Sequence, residues 1–225
     1  MARALIVLTS HSQMGDTDEK TGFWLSELTH PYYAIVDRGI DVDIVSIQGG
    51  ETPVDPRSWD EDDKLNVRFM ATPELTILLK NSPSLDDIDP SHYQAIVFAG
   101  GHGTMWDFPD DPDVQDKAAT IYEQGGIVAA ICHGPAALLN LKLSDDSLLI
   151  SDKRVAAFSN AEEDAVQLTD IVPFSLQDEL IINGAHYIEQ PAWTANVVID
   201  GRLVTGQNPQ SAAGVGEAVC ELLKK

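Results

Sequence analysis

Apolar residues along this chain keep two alternating rhythms. Residues 4–10, "ALIVLTS", form a compact run rich in β-branched side chains, the length and composition of a buried strand. Residues 20–39, "KTGFWLSELTHPYYAIVDRG", then place apolar side chains at helical spacing and end on glycine, which predicts a helix with its C-terminal stop. "DVDIVSIQGG", residues 41–50, alternates and halts at Gly-Gly, so strand, helix and strand make a βαβ unit.

The alternation then lapses. Residues 51–72, "ETPVDPRSWDEDDKLNVRFMAT", are acidic, broken by proline and poorly periodic, and read as a long surface excursion of the kind that borders a site. It resumes with a helix over 73–81, a strand over 93–104 ending in glycines, a helix over 113–126 and a strand at "IVAAI", 127–131. A short strand is expected over 154–160 and a helix from "EEDAVQL". A β-hairpin about Asp200-Gly201 and a C-terminal helix over 211–225 close the series. Strands separated by helices predict an α/β fold whose mostly parallel sheet is covered on both sides, as one domain over 1–225.

Composition narrows the picture. A net charge of -22 and a pI near 4.3 repel phosphate backbones and anionic lipids, so neither nucleic acid nor a membrane is expected as partner. No apolar run reaches the roughly eighteen residues of a membrane span, and no cleavage site follows the first apolar run; a cytoplasmic protein is expected. Its two cysteines, Cys132 and Cys220, are too few for a disulfide framework. The six histidines are scattered without metal-ligand spacing, so no metal is expected.

Candidate chemistry lies in "GGIVAAICHGPAALLNL", residues 125–141, where a thiol and an imidazole interrupt an apolar run. A strand passing through a tight turn into a helix presents the turn residue at the carboxyl edge of a parallel sheet, where α/β ligands bind. "AICHG" has the form of a nucleophile elbow with Cys132 as nucleophile and the small Ala130 and Gly134 on either side. A helix starting near Pro135 would lower the thiol pKa through its free amides; otherwise Cys132 is a small buried hydrophobe. Cys220, beside Val219 and Leu223 on an apolar helix face, reads as core. His133 adjoins the thiol, yet sequence neighbours do not normally face each other, so only a strained elbow would pair them. In "FAGGHGT", Gly100 and Gly101 leave amides that, with that of His133, would form an oxyanion hole or simply a glycine-rich turn.

These segments together, "ALIVLTS", "KTGFWLSELTHPY", "AGGHGTMWDFP", "GGIVAAICHGPAAL" and "DGRLVTGQNPQSA", resemble the PfpI-like branch of the class I glutamine-amidotransferase superfamily, and most of all its glyoxalase III and heat-shock-chaperone subfamily. The resemblance spans essentially the whole chain and implies a flavodoxin-like three-layer sandwich with a C-terminal hairpin, and a homodimer. It makes Cys132 the nucleophile, His133 its partner, Glu27 the helix-borne acid facing the thiol and Glu163 the orienting acid, with Glu162 one register away. Gly101 and His133 supply the oxyanion amides; His102 and Trp106, and beyond them Trp24 and Trp193, wall the substrate pocket. The implied activity is cofactor-free, glutathione-independent conversion of a small reactive dicarbonyl, methylglyoxal, to lactate. The alternatives are a stress-related holdase chaperone, a deglycase or a cysteine peptidase. A glutaminase would need a late H-x-E pair, whereas "HYIEQ" puts Glu189 three residues after His186.

Overall fold

The computed structural model describes residues 2–224. Its strands are β1 (Arg3–Leu8), β2 (Asp41–Ser46), β3 (Ala95–Phe98), β4 (Ile127–Ile131), β5 (Arg154–Val155), β6 (His186–Tyr187), β7 (Val197–Asp200) and β8 (Leu203–Gly206). Six of them form one sheet in the order β2-β1-β3-β4-β8-β7. All neighbours in it are parallel except the β7–β8 hairpin, where Val198 pairs with Thr205. The parallel part has the flavodoxin-like order, in which the order of strand addition reverses between β1 and β3 and opens a crevice at the strands' carboxyl ends.

The helices are α1 (Leu25–Val36), α2 (Lys64–Met70), α3 (Pro73–Lys80), α4 (Thr104–Asp107), α5 (Pro112–Glu123), α6 (Asn160–Ala165), α7 (Leu176–Ile182) and α8 (Ala212–Leu222). β1 shows why its run reads as continuous rather than alternating. Leu5 and Val7 join the core under α5 with Val114, Ala118 and Ile121, while Ala4, Ile6 and Leu8 join the opposite core with Leu28 of α1 and Val215 of α8. Both faces are covered, so both sets must be apolar.

Several expectations needed correction. Residues 51–72 are a folded segment carrying a 3-10 turn at Pro56–Ser58 and α2, whose first turn is capped by the Asp63 carboxylate accepting from the Leu65 and Asn66 amides. The N-terminal helix begins at Leu25, because Lys20 and Phe23 are drawn into isolated bridges with Gln13 and Val54. Only Arg154 and Val155 of the 154–160 stretch form a strand, and it pairs with β6 outside the main sheet. α7 and β6 were not expected at all. After the elbow comes a five-residue 3-10 turn, Gly134–Leu138, in place of an α-helix.

Candidate active site

β4 ends at Ile131, and the next residue, Cys132, has φ 58°. For a residue with a side chain this left-handed conformation is held only by surrounding structure. Here the Cys132 amide donates to the Gly206 carbonyl (2.8 Å) and its carbonyl accepts from the Phe158 amide (2.8 Å). The chain then turns sharply enough that a Cβ at position 134 would lie 2.3 Å from the Phe98 carbonyl oxygen, which only glycine avoids. That strain does what regular structure would not: it brings Cys132 Sγ within 3.4 Å of His133 Nδ1.

Behind His133 stands Glu163. Its Oε2 lies 2.7 Å from His133 Nε2, and its Oε1 lies 2.8 Å from His102 Nε2. Glu163, not Glu162, is therefore the carboxylate beside the histidines, and it serves two of them. The rings of His102 and His133 are 4.0 Å apart. Arg57 Nη2 approaches His102 Nδ1 at 3.4 Å, and since arginine only donates, that nitrogen is an acceptor and Nε2 carries the proton given to Glu163. The Glu163 carboxylate only accepts, so His133 Nε2–H donates to it, and in the neutral ring Nδ1 is then a lone pair facing sulfur.

The electrostatics follow from burial. Burial alone would raise the Glu163 pKa, but the charge available on His133 and the hydrogen bonds from His102 and His133 outweigh it and hold the carboxyl well below the usual range. His102 moves down to about 4, by burial first and then by the neighbouring His133, so it is neutral near pH 7. Glu27 on α1 is fully buried, and among the described residues neither of its oxygens has a partner of full hydrogen-bonding geometry. Burial raises its pKa well above normal, against the opposing pull of the Cys132 thiol and the Gly100 amide. Gly100 makes room for this carboxyl, since a Cβ there would sit 2.4 Å from Glu27 Oε2.

The thiol corrects a further expectation. No long helix follows to lower its pKa; burial and then the Glu27 carboxyl push it well above the ordinary cysteine value. Two buried groups so close cannot both be ionised, so Cys132 and Glu27 keep at least one proton between them.

A cavity of about 300 Å³ opens over this group, lined by Trp24, Gly101, His102, Cys132, His133, Phe158, Val166, Trp193 and Pro209, with Arg57 at its rim. Among the described residues, neither the Gly101 nor the His133 amide donates a hydrogen bond, so both are available to an oxyanion. His102, Trp24 and Trp193 are among the residues that line the cavity. Trp106 is not: Asp107 of α4 is anchored by Thr9 Oγ1 and the Ser10 amide, and this turns Trp106 away to stack on His11 at 5.0 Å.

Arg57 was missed by the sequence reading. It holds the buried Asp55 with Nε (3.0 Å) and Nη2 (2.6 Å), and Thr21 Oγ1 donates to the same carboxylate (2.9 Å). The one available signal was a basic residue between prolines and acids in a chain of -22 charge. One donor atom each from His102, His133 and Glu163 lie within 4.8 Å, a spacing that suits a divalent cation. In this geometry both Nε2 protons already occupy the carboxylate, so a cation would bind there only by displacing them.

The sequence profile of the DJ-1/PfpI family matches residues 20–222. The chain belongs to the DJ-1/PfpI family. Within it, the crystal structure of Rapid Encystment Protein 24 KDa from Francisella tularensis is 50% identical, with TM-score 0.97 and 99% of each chain covered. "Glyoxalase 3" of Candida albicans is 34% identical over 97% of both chains, and the crystal structure of glyoxalase III from that organism superposes with TM-score 0.91 at 33% identity, covering 98% of this chain and 97% of the other. "Glutathione-independent glyoxalase HSP31" of Saccharomyces cerevisiae is 30% identical over 99% of this chain and 98% of its own. Several curated DJ-1/PfpI relatives thus carry the name glutathione-independent glyoxalase. Among the described residues, no helix is long and apolar enough to cross a membrane.

Proposed function

We propose that the protein is a glutathione-independent glyoxalase that converts methylglyoxal to lactate through covalent attachment to Cys132. The observation that carries this reading is Glu27, a buried carboxyl placed against the nucleophilic sulfur and answering to no other strong partner. A hydrolase needs a nucleophile, a base and an orienting acid. Moving a proton between two carbons needs a further group of raised pKa beside the carbon bonded to sulfur, and Glu27 answers that need.

In the thiolate form of the pair, Glu27 holds the shared proton. Sulfur adds to the aldehyde carbon, a C–S bond forms, and Glu27 protonates the oxygen while the Gly101 and His133 amides stabilise its charge. Glu27 is now a buried carboxylate and a strong base. It removes the proton from the carbon attached to sulfur, giving an enediolate, and returns that proton to the adjacent carbon while His133 moves the hydroxyl proton from the first carbon's oxygen to the second's. The product is a lactoyl thioester. His133, with Nε2–H held by Glu163, then deprotonates a water at Nδ1; the water cleaves the thioester to lactate and the thiol is restored. No electrons leave the system, because one carbon is oxidised as its neighbour is reduced.

The relatives' names and the family resemblance support this reading, and the resemblance also supports a homodimer, which light scattering checks. The functional test is lactate formation from methylglyoxal without glutathione. Wild type should produce lactate and Cys132→Ala should not; absence of glutathione-free turnover, or full activity in Cys132→Ala, would overturn the proposal.

A further inference from the structure

Glu162 and Glu163 are adjacent on the first turn of α6, yet they face different groups. Glu162 is fully buried and accepts five hydrogen bonds. Its Oε2 receives the Ser159 amide (3.1 Å), Ser159 Oγ (3.0 Å) and Gln207 Nε2 (3.2 Å); its Oε1 receives Asn208 Nδ2 (2.8 Å) and the Trp193 amide (2.9 Å). Trp193 is the unusual member. Its φ is 64°, a left-handed conformation costly for so bulky a residue, and it remains 43% exposed, so packing alone does not hold it. The indole lines the cavity over Cys132 and meets Phe158 edge to face at 5.8 Å, while Phe158 lies 4.4 Å from the His133 ring.

We propose that Glu162 is a positioning residue that limits the size of compound reaching Cys132, by holding Trp193 in its left-handed conformation with the indole as outer wall of the cavity. A carboxylate is required because two of the five donors, the Ser159 and Trp193 amides, belong to the backbone and approach different oxygens. The side-chain amides of Gln207 and Asn208 are fixed as well, Gln207 Nε2 donating to the Gln190 carbonyl and Asn208 Nδ2 to the Thr194 carbonyl, so of the five donors only the serine hydroxyl can rotate away. A glutamine at 162 has one oxygen and satisfies one of the two; its NH₂ group then confronts the other donor.

The role takes from the glyoxalase reading only that the cavity over Cys132 receives the carbonyl compound, and the first readout needs no turnover. Alkylation of Cys132 is followed by peptide mass spectrometry with a small reagent, iodoacetamide, and a bulky one, N-phenylmaleimide. In Glu162→Gln the bulky-to-small rate ratio should rise roughly fivefold, the effect of losing one hydrogen bond. Trp193→Gly, whose backbone adopts positive φ without strain, should raise it at least as much, and adding Glu162→Gln to Trp193→Gly should change it no further. As kinetic readout, the preference for methylglyoxal over phenylglyoxal in kcat/KM should weaken in Glu162→Gln, through KM rather than kcat. If Glu162→Gln does not fold, Glu162→Asp carries the same test, keeping the charge while drawing the oxygens back by one methylene. An unchanged alkylation ratio in the Glu162 variant, or an equal change in the presence and absence of Trp193, would overturn the proposal. Lost methylglyoxal turnover with a shifted alkylation ratio would instead refute the substrate and leave the wall.

Discussion

Two thiols in this protein are almost equally hidden, Cys132 at 3% exposure and Cys220 at 0%, and burial raises the pKa of both. Their surroundings are opposite. Cys220 sits in regular helix, in the seam between α8 and α1, where its sulfur donates to the Ala34 carbonyl at 3.4 Å. Cys132 sits where the chain breaks into a left-handed turn, with His133 3.4 Å from sulfur and the Glu27 carboxyl against it. Burial, then, does not distinguish the two thiols. What separates them is a backbone distortion that presents the Cys132 sulfur to the cavity, and polar neighbours able to exchange its proton.

The sharpest way to break this contrast is to delete each sulfur. Cys132→Ala should lose all measurable lactate formation, while Cys220→Ala should keep the wild-type rate and lose about 1 kcal/mol of stability, read from denaturant midpoints. Equal activity losses would mean that the neighbours do not matter. Next in size, Glu27→Gln should lower kcat by about 10²- to 10⁴-fold, the range for a missing general acid-base, with Cys132 still open to iodoacetamide.

A smaller effect concerns pH. His102 binds its proton at about 4 in the fold and near 6.5 when unfolded. Between those values the unfolded chain takes up a proton that the folded one does not, so stability rises with pH across this window and is lost as pH falls from 6.5 towards 4, by about 3 kcal/mol at most. Asp107, raised by burial to about 6, has the reverse slope from its ordinary value up to that pH. The difference in melting temperature between wild type and His102→Asn therefore isolates the histidine, and it should shrink as pH drops from 7 to 4. A difference independent of pH would contradict the neutral His102 derived from Arg57 and Glu163. Smallest of all, a chelator should leave lactate formation unchanged, because Glu163 holds both histidines by hydrogen bonds; a rate that falls with chelation and returns with added zinc would show that a metal takes their place.

The strand that leads to Cys132 was legible in the sequence for a reason that applies to the whole sheet. Strands buried on both faces, such as β4 and β1 beyond Arg3, must be apolar, and the break at "CHG" just after β4 then stands out. Residues 64–70 were not legible because one short helix supplies too few turns for a period, although Asp63 was in place as its cap. The same holds for α7, capped by Ser175. Glu163 and Glu162 are chemically identical neighbours, and only the geometry of the α6 first turn decides that one meets His133 and the other Trp193. Arg57 and Trp193 come to the cavity from segments over a hundred residues apart, a convergence no local pattern encodes. Trp106 is the converse case: close to the glycine turn in sequence, yet rotated away by the Asp107 anchor.

The most direct test of the central claim, that the Glu27 carboxyl beside sulfur makes Cys132 a glyoxalase nucleophile, is the rate of glutathione-free lactate formation by Glu27→Gln relative to its rate of Cys132 alkylation. The account predicts a thiol that still reacts with iodoacetamide in a protein that produces almost no lactate from methylglyoxal. Lactate formation at the wild-type rate in Glu27→Gln would contradict it.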